Sequence, residues 1–330
     1  MLKQGVSSQR KHLVNEPLFC DTTERLPLLR HKWKSRKGEG LLSSVPGGKS
    51  YTLVFEGDTL PDGHSARNVV KVTSLAEVMI YYGLLGASCE MYISPEYRYS
   101  HFELLKGLEG VRISLANEAL AEAEAETVAS LLRRIPLDIS GLLESSLAVK
   151  DEDVVPGVIE PEVVHKVNPA NALLSEPYFA GRLVYYNMLK HTEELKFDHG
   201  SDHVQGVLLL EAMRQAGIAT THLVGGLPLT GKLTLTSYCT NFYSYIEHSA
   251  PVVLRTYVSY AVPEEVSDKD YFVLCQVFQW GKLCAEATLG VVAFIGERYD
   301  KHRTRTEKIS ARNKRLFTSK IQAIEKLVNS

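Results

Sequence analysis

The chain has 330 residues, a length that predicts two domains, and its 45% hydrophobic and 23% charged residues are ordinary for a globular protein. A net charge of −2 provides no global positive field for nucleic acid. The N-terminus lacks the apolar core of a secretory signal, and no apolar run approaches the roughly 20 residues that span a membrane. We therefore expect a cytoplasmic protein with no nucleic-acid partner and no transmembrane segment.

Charge is concentrated at the two ends of the chain. Residues 1–50 hold ten Lys or Arg against four Asp or Glu, and residues 298–330 hold ten against three, which leaves about −15 for the middle. Basic ends around an acidic body indicate contact with an anionic partner. The alternative is a pair of solvated tails, which is the interpretation we favour for residues 1–50.

The cysteines are Cys20, Cys89, Cys239, Cys275 and Cys284. Their number is odd, their spacing is wide, and no CxxC pair occurs. This pattern predicts reduced thiols rather than a disulfide framework or a zinc site, so we expect no metal.

The first half of the chain predicts a basic arm over residues 1–50 and a small α/β domain of unknown role over residues 51–143. Ser74 and Glu77 form a capping box that begins a helix, and Gly86 ends it. Alternating strands and helices predict a small parallel sheet, and the segment has no glycine-rich phosphate loop. The predicted strands are 51–56, 89–94 and 111–115, and the other predicted helices are 101–106 and 117–134.

After an acidic, Pro- and Gly-punctuated linker at residues 144–161, the pattern changes. One strongly apolar helix is predicted at 204–222. The strand-like runs around it are rich in Thr, Tyr, Val, Phe and Leu. They lie at 162–167, 171–175, 182–191, 231–247, 251–262, 271–280 and 283–295. A long antiparallel sheet wrapped around one central helix is the hotdog fold, so residues 162–297 predict an α+β protein with a hotdog domain.

The predicted central helix is apolar all round except for a stripe that contains one carboxylate, Glu211. A buried carboxylate either pairs or has a raised pKa, and a raised pKa would make Glu211 a candidate general base. At 100° per residue, Arg214, Gln215 and His222 fall within about 60° of Glu211. Arg214 is expected to bind a phosphate or to hold Glu211 ionised. A purely structural Glu211–Arg214 ion pair is the alternative.

The start of this helix is a second candidate part of the site. Ser201 or Asp202 is predicted to cap it. The free amides near Gly206 can stabilise an oxyanion that forms on a thioester carbonyl, and a glycine there lets a backbone approach closely. His203 lies at the same end of the helix, where its alternative role is that of an ordinary first-turn residue.

Residues 206–217 resemble the β-hydroxyacyl carrier-protein dehydratases, in which an acidic residue on the helix is followed by Ala-x-x-Gln-Ala. Glu211 matches the acidic residue of that motif. The position of the dehydratase histidine falls at Phe197, and His199 and His203 are out of register. Dehydration needs a base aligned with the substrate's α-proton, so this departure argues against it.

The closer resemblance is to the A-factor biosynthesis (γ-butyrolactone synthase) hotdog family. The matching features are Val164-His165-Lys166, the Asp202-His203 pair, and Glu211-x-x-Arg214-Gln215. The resemblance implies transfer of a β-ketoacyl group from acyl carrier protein or coenzyme A onto a hydroxyl, such as that of dihydroxyacetone phosphate. It implies no permanently bound cofactor. Family members usually carry two tandem hotdog repeats, whereas here the first half has no Glu-x-x-Arg-Gln.

The resemblance and the residue pattern together define a candidate site. The candidate catalytic residues are Glu211, His203 and Arg214. The candidate substrate-binding residues are Gly206, Gln215, Asp202, His199 and His222. Acyl transfer in butyrolactone-like signal or secondary-metabolite biosynthesis is the function this site favours. The alternatives are a hotdog dehydratase or thioesterase, and a non-catalytic protein that binds an acyl ligand.

Residues 298–330 predict a basic amphipathic C-terminal helix. Its apolar face contains Leu316, Phe317, Ile321, Ile324 and Val328. Three roles are open: docking on the domain or the dimer, binding an acidic acyl carrier protein, or lying on a membrane surface. A single hotdog leaves a sheet edge open, so we also expect a homodimer.

Overall fold

The computed structural model describes residues 51–60, 68–110, 113–137, 157–198, 200–259 and 271–329. The predicted N-terminal arm and most of the predicted linker lie outside these residues, so both boundaries stay predictions. Within the described ranges, no helix is both long and apolar enough to cross a membrane.

The N-terminal module, residues 51–137, contains a three-stranded parallel sheet with strand order β2-β1-β3 and helices packed against it. Its strands are β1 (Tyr51–Phe55), β2 (Val69–Val72) and β3 (Cys89–Tyr92). Its helices are α1 (Leu75–Leu85), α2 (Pro95–Ser100), α3 (Phe102–Lys106), α4 (Ile113–Glu122) and α5 (Ala125–Arg134). The predicted small parallel sheet is therefore present.

The predicted capping box of α1 is confirmed. The Ser74 hydroxyl accepts from the Glu77 amide at 3.2 Å, while the Glu77 carboxylate accepts from the Thr73 amide at 2.8 Å. Two other expectations for this module are wrong. Residues 113–115 begin α4 instead of ending a strand, because an apolar run this short fits either structure. The predicted helix 117–134 is two helices, divided at Ala123 and at Glu124, whose extended backbone starts α5.

The second half is the antiparallel sheet and central helix that the sequence predicted. Its six strands have the order β4-β5-β7-β8-β9-β6, and every pairing in it is antiparallel. The elements are β4 (Tyr178–Ala180), β5 (Leu183–Asn187), α6 (Gly206–Leu223), β6 (Lys232–Phe242), β7 (Val253–Val258), β8 (Tyr271–Gln279), β9 (Lys282–Phe294) and α7 (Glu297–Val328).

Two predicted strands of this half are wrong: residues 171–175 contain only isolated β-bridges, at Leu174 and Ser175, and residues 162–167 lie in and after a 3₁₀ turn. The turn covers Pro161–Val164 and starts on a proline, whose fixed φ suits the first position of a helical turn. His165 ends it with a left-handed backbone, φ 56°. Val163 and Val164 are buried by this turn, so the apolar residues that suggested a strand pack against the core in a different geometry.

The central strands of the sheet are covered on both faces. On β5, Val184 and Tyr186 face the core that contains α6, whereas Leu183 and Tyr185 face the core of the N-terminal module. The same alternation runs along β7 and β8. Side chains on a strand alternate between faces, so covering both faces requires a nearly continuous apolar sequence, as these runs have.

A polar cluster, buried except for one arginine, joins the N-terminal module to the sheet. We call it the outer cluster; it consists of Arg133, Arg255, Gln276 and Glu286. The Arg255 guanidinium donates to the Gln276 side chain and to the carbonyls of Leu132 and Ile135, at the C-terminal end of α5. Glu286 accepts from Arg133 at 2.6 Å and from Gln276 at 2.7 Å. The module is thus packed and hydrogen-bonded onto the sheet.

Candidate functional site

The centre of the candidate site is Glu211, which lies in the second turn of α6. Arg214 donates two hydrogen bonds to the Glu211 carboxylate, from Nε to Oε2 and from Nη2 to Oε1, each 2.7 Å long. Gln215 Nε2 donates to Oε1 at 3.0 Å, and Lys166 Nζ lies 3.0 Å from the same oxygen. We call these four residues the helix cluster. The predicted Glu211–Arg214–Gln215 stripe is therefore a bonded unit.

The protonation state of Glu211 differs from the expectation of a raised pKa. Burial on its own raises the pKa of Glu211, but the hydrogen bonds from Arg214, Gln215 and Lys166 outweigh it and lower the pKa to about 2. The carboxylate is therefore ionised at neutral pH, with its oxygens already accepting hydrogen bonds. A carboxylate in this state is a poor proton acceptor at neutral pH.

The helix cluster is held from two sides and remains partly open. Gln215 is fully buried and connects α6 to the segment before β4, because its side chain accepts from the Leu173 amide and donates to the Asn171 carbonyl, both at 2.8 Å. Lys166 also pairs with Glu194. The Arg214 side chain remains 33% exposed, so it can reach a ligand while it holds Glu211.

The N-terminus of α6 is open to solvent. The expected cap by Ser201 or Asp202 is wrong: the capping position is Gln205, which makes no side-chain cap hydrogen bond. Gly206 and Val207 are both exposed. The first amides of a helix have no partner within the helix, so this end offers donors and a positive dipole to a ligand oxygen. A Cβ added at Gly206 would meet only the Phe242 ring, at 3.9 Å, so the fold itself does not require glycine there.

Asp202 and His203 form a dyad immediately before that helix end. His203 Nδ1 lies 3.0 Å from Asp202 Oδ1 and 2.9 Å from Ser201 Oγ. An ionised carboxylate only accepts, so Nδ1 carries the proton in this contact and Nε2 is left bare in the neutral ring. The backbone of this segment is fixed, because Val204 N donates to Ile246 O at 2.9 Å.

Tyr245 completes the dyad from the loop that follows β6. Its hydroxyl donates to Asp202 Oδ1 at 2.5 Å, and its ring lies 5.1 Å from that of His203. Hydrogen bonds from Tyr245 and then from His203 lower the pKa of Asp202, and the bond to Asp202 raises the pKa of Tyr245 to about 12. Asp202 therefore stays ionised and Tyr245 stays protonated at neutral pH.

His222 lies about three turns beyond Glu211 on the same helix and bonds to His165, the residue before Lys166. It is buried, its Nδ1 lies 2.9 Å from the Leu227 carbonyl, and its Nε2 lies 2.8 Å from His165 Nε2. A carbonyl only accepts, so Nδ1 carries the proton and the neutral ring accepts from His165. Burial lowers the pKa of both rings, that of His165 to about 4. The His165–His222 contact connects the 3₁₀ turn to the C-terminal end of α6.

The structure thus places the predicted residues in three groups. Glu211, Arg214 and Gln215 form one, Asp202 and His203 with nearby Gly206 form the second, and His222 with His165 forms the third. His199 lies outside the described residues. The sequence analysis did not include two residues of these groups, Lys166 and Tyr245. The Val164-His165-Lys166 motif could have indicated Lys166, whereas no motif in the sequence indicates Tyr245.

The surroundings of the helix end suit an acyl thioester. Three apolar or aromatic side chains at or near the N-terminus of α6 are exposed. They are Val207 at 56%, Phe242 at 54% and Tyr245 at 53%. Within the described ranges, no three His, Cys, Asp or Glu side chains converge as metal ligands would. An oriented imidazole, a helix N-terminus and an apolar surface can together activate a hydroxyl and stabilise an oxyanion.

A family model matches part of the second half of the chain. Residues 147–294 match the family model described as the A-factor biosynthesis hotdog domain. This match confirms the predicted hotdog fold. No curated protein matches the chain.

Solved structures that resemble the chain are remote. A Haemophilus influenzae thioesterase is 11% identical over 37% of this chain and 78% of its own, with a TM-score of 0.29. An uncharacterized Pyrococcus horikoshii protein is 16% identical over 42% and 95%, with a TM-score of 0.30. A putative thioesterase from Shewanella oneidensis is 14% identical over 36% and 82%, with a TM-score of 0.28.

Proposed function

We propose that the A-factor biosynthesis hotdog domain of this chain transfers a β-ketoacyl group from a thioester to a hydroxyl acceptor. The donor is acyl carrier protein or coenzyme A, and the product serves butyrolactone-like signal or secondary-metabolite biosynthesis. The observation that carries the proposal is the Asp202–His203 dyad at the open N-terminus of α6. It puts an oriented base beside a group of oxyanion donors.

In the proposed reaction His203 Nε2 takes the proton from the acceptor hydroxyl. The freed oxygen attacks the thioester carbonyl carbon, and the first-turn amides near Gly206 stabilise the resulting oxyanion. The C–S bond then breaks, and the leaving thiolate takes the proton back from His203. Asp202 holds the ring in the tautomer that leaves Nε2 bare and stabilises its charged form.

The helix cluster has a supporting role in this proposal. Glu211 stays ionised and fixes Lys166 and Arg214, which are the cations nearest to it. The exposed part of Arg214 binds an anionic group of the donor or acceptor, such as a phosphate. Glu211 is therefore a positioning residue, and Arg214 is the residue that touches substrate.

Hydrolysis is the second candidate function, and one observation favours it. The His203 side chain is 48% exposed, so water has access to the same base. If water replaces the hydroxyl acceptor, the same steps release a free acid. The two reactions differ only in what occupies the acceptor position.

Product analysis separates transfer, hydrolysis and simple binding. The full chain is incubated with a β-ketoacyl thioester of N-acetylcysteamine, with and without glycerol or dihydroxyacetone phosphate, and products are identified by mass spectrometry. Mass detection is preferable to a thiol reagent because Cys239 is exposed. An ester formed only with a hydroxyl acceptor supports transfer. Free acid in both reactions supports hydrolysis, and unchanged thioester that co-purifies with the protein supports a binding role.

These donors also suggest where the protein works. Acyl carrier protein and coenzyme A thioesters are intracellular donors, and four free cysteines lie in the described part of the chain. Free thiols persist in a reducing compartment, so we place the protein in the cytoplasm.

A second copy of the chain is a further proposed partner. β6 is the edge strand of the sheet, eleven residues long, and exposes Leu235 at 42% and Phe242 at 54%. A long exposed edge is a template for another strand. We expect light scattering to give twice the 36.8 kDa chain mass, and Leu235→Lys to lower it. A monomeric parent chain would contradict the dimer without affecting the proposed chemistry.

A further inference from the structure

The C-terminal helix α7 is the largest feature that the proposed function leaves unexplained. It is 32 residues long, or about 48 Å, and every residue from 300 to 329 is exposed. Its first two turns touch the hotdog domain, where Phe294 packs against Tyr299 and His302. A helix without tertiary packing is marginal in water, so such a length indicates an external partner.

The two parts of α7 differ in composition. In the first part, charged side chains pair along the helix, as Lys301 does with Glu297 and Arg303 does with Glu307. After residue 308 the helix has a wide apolar stripe. At 100° per residue, the members of this stripe lie within an arc of about 140° around the helix axis. Its members are Ile309, Leu316, Phe317, Ile321, Ile324 and Val328, each between 39% and 78% exposed.

Positive charge surrounds this stripe. From residue 308 to 328 the sequence holds six Lys or Arg against one acid, Glu325. Five of these cations project outside the apolar arc, and Lys320 lies inside it, where its long aliphatic stem can lie along an apolar surface with the ammonium at the polar boundary. The cations outside the arc are Lys308, Arg312, Lys314, Arg315 and Lys326.

We propose that residues 308–328 bind the surface of an anionic lipid bilayer, with the apolar stripe inserted between headgroups and the cations on the phosphates. Broad apolar faces with Phe, Leu and Ile beside Lys and Arg fit a membrane interface. A second copy fits less well, because two such helices would bring like charges together. The first part of α7 holds the hotdog domain away from the surface, and the inference is independent of the proposed acyl transfer.

Vesicle binding tests this inference with the full chain. We expect co-sedimentation with phosphatidylcholine vesicles that contain about one third phosphatidylglycerol, and much weaker binding to phosphatidylcholine alone. Sodium chloride at about 0.5 M should weaken the first interaction. Protein that stays in the supernatant with both vesicle types would overturn the proposal.

A matched pair of double variants locates the binding surface. Phe317→Ser with Ile324→Ser removes two members of the stripe, and we expect vesicle binding to fall by at least about tenfold. Thr318→Ser with Gln322→Ser changes the opposite side of the same helix and should bind as the parent does. Equal loss in both pairs would contradict the proposal.

Two further readouts exclude other partners. Acyl transfer with water-soluble substrates should be the same in both double variants, so failure of the lipid inference and failure of the proposed chemistry are distinguishable. If Phe317→Ser with Ile324→Ser instead abolishes binding of an acyl carrier protein, or lowers the oligomeric mass, while no vesicle binds, the bilayer proposal is wrong.

Discussion

The protein has two buried charged clusters on opposite sides of one sheet, and they differ in how completely they are closed. In the outer cluster, Arg255, Gln276 and Glu286 are each at most 3% exposed, and Arg133, whose side chain is 37% exposed, is the member that reaches the surface. In the helix cluster, Glu211 and Arg214 bond equally well, but their side chains are 19% and 33% exposed. The two clusters differ most at the carboxylate: Glu286 is 4% exposed and helps to join two parts of the fold, whereas Glu211 is 19% exposed and lies beside an arginine that can reach a ligand.

Because the outer cluster is the more deeply buried of the two, we expect the largest loss of stability from a substitution there. Arg255→Met removes the donor to Gln276 and to the carbonyls of Leu132 and Ile135, which stay buried. We expect the free energy of unfolding to fall by about 3–5 kcal/mol, in a single transition. Urea unfolding measures it, with the exposed Arg303→Met as the control. A loss below about 1 kcal/mol would show that the outer cluster does not hold the two parts together.

In the helix cluster, Glu211→Gln should lower the free energy of unfolding by less than Arg255→Met does. The size of this loss should depend on pH. The pKa of Glu211 is about 2 in the folded chain against an ordinary 4.5, so its charge stabilises the fold fully above pH 4.5 and loses that effect as the pH falls toward 2. At pH 7 we expect a loss of about 3 kcal/mol relative to the parent. The difference should shrink on acidification, and Glu103→Gln serves as the control at an exposed carboxylate. A difference that stays constant down to pH 3 would contradict the lowered pKa.

The smallest expected effect concerns Tyr245, which orients Asp202. Tyr245→Phe should leave thermal stability unchanged and reduce acyl transfer roughly threefold to tenfold, because Asp202 loses one of two fixed donors. Tyr243→Phe is the matched control, since Tyr243 lies two residues away with similar exposure. Equal transfer rates in the two variants would remove Tyr245 from the site.

The long elements were predictable from the sequence because their patterns are strong. The apolar helix predicted at 204–222 is α6, and the β-rich runs at 271–280 and 283–295 are β8 and β9, with shifts of one or two residues. The run at 162–167 was misjudged, because a short apolar segment packs equally well as a turn. β2 was missed because four residues carry too little pattern.

The candidate site was only partly predictable, for a physical reason. Neighbours on one helix face, such as Glu211 and Arg214, follow from spacing alone. Lys166 and Tyr245 reach the site from distant parts of the chain, and sequence spacing does not report such contacts. The lowered pKa of Glu211 comes mainly from its hydrogen bonds to Arg214, and Gln215 and Lys166 add smaller contributions that favour the same charged form.

We propose that His203, and not Glu211, is the base for acyl transfer. The most direct measurement is the single-turnover transfer rate and the melting temperature of His203→Gln, with exposed His101→Gln as the control. Because His203 is half exposed, we expect an unchanged melting temperature together with a transfer rate reduced by about 10²–10⁴-fold. Transfer at the parent rate by His203→Gln, or a loss that appears only with unfolding, would contradict the account.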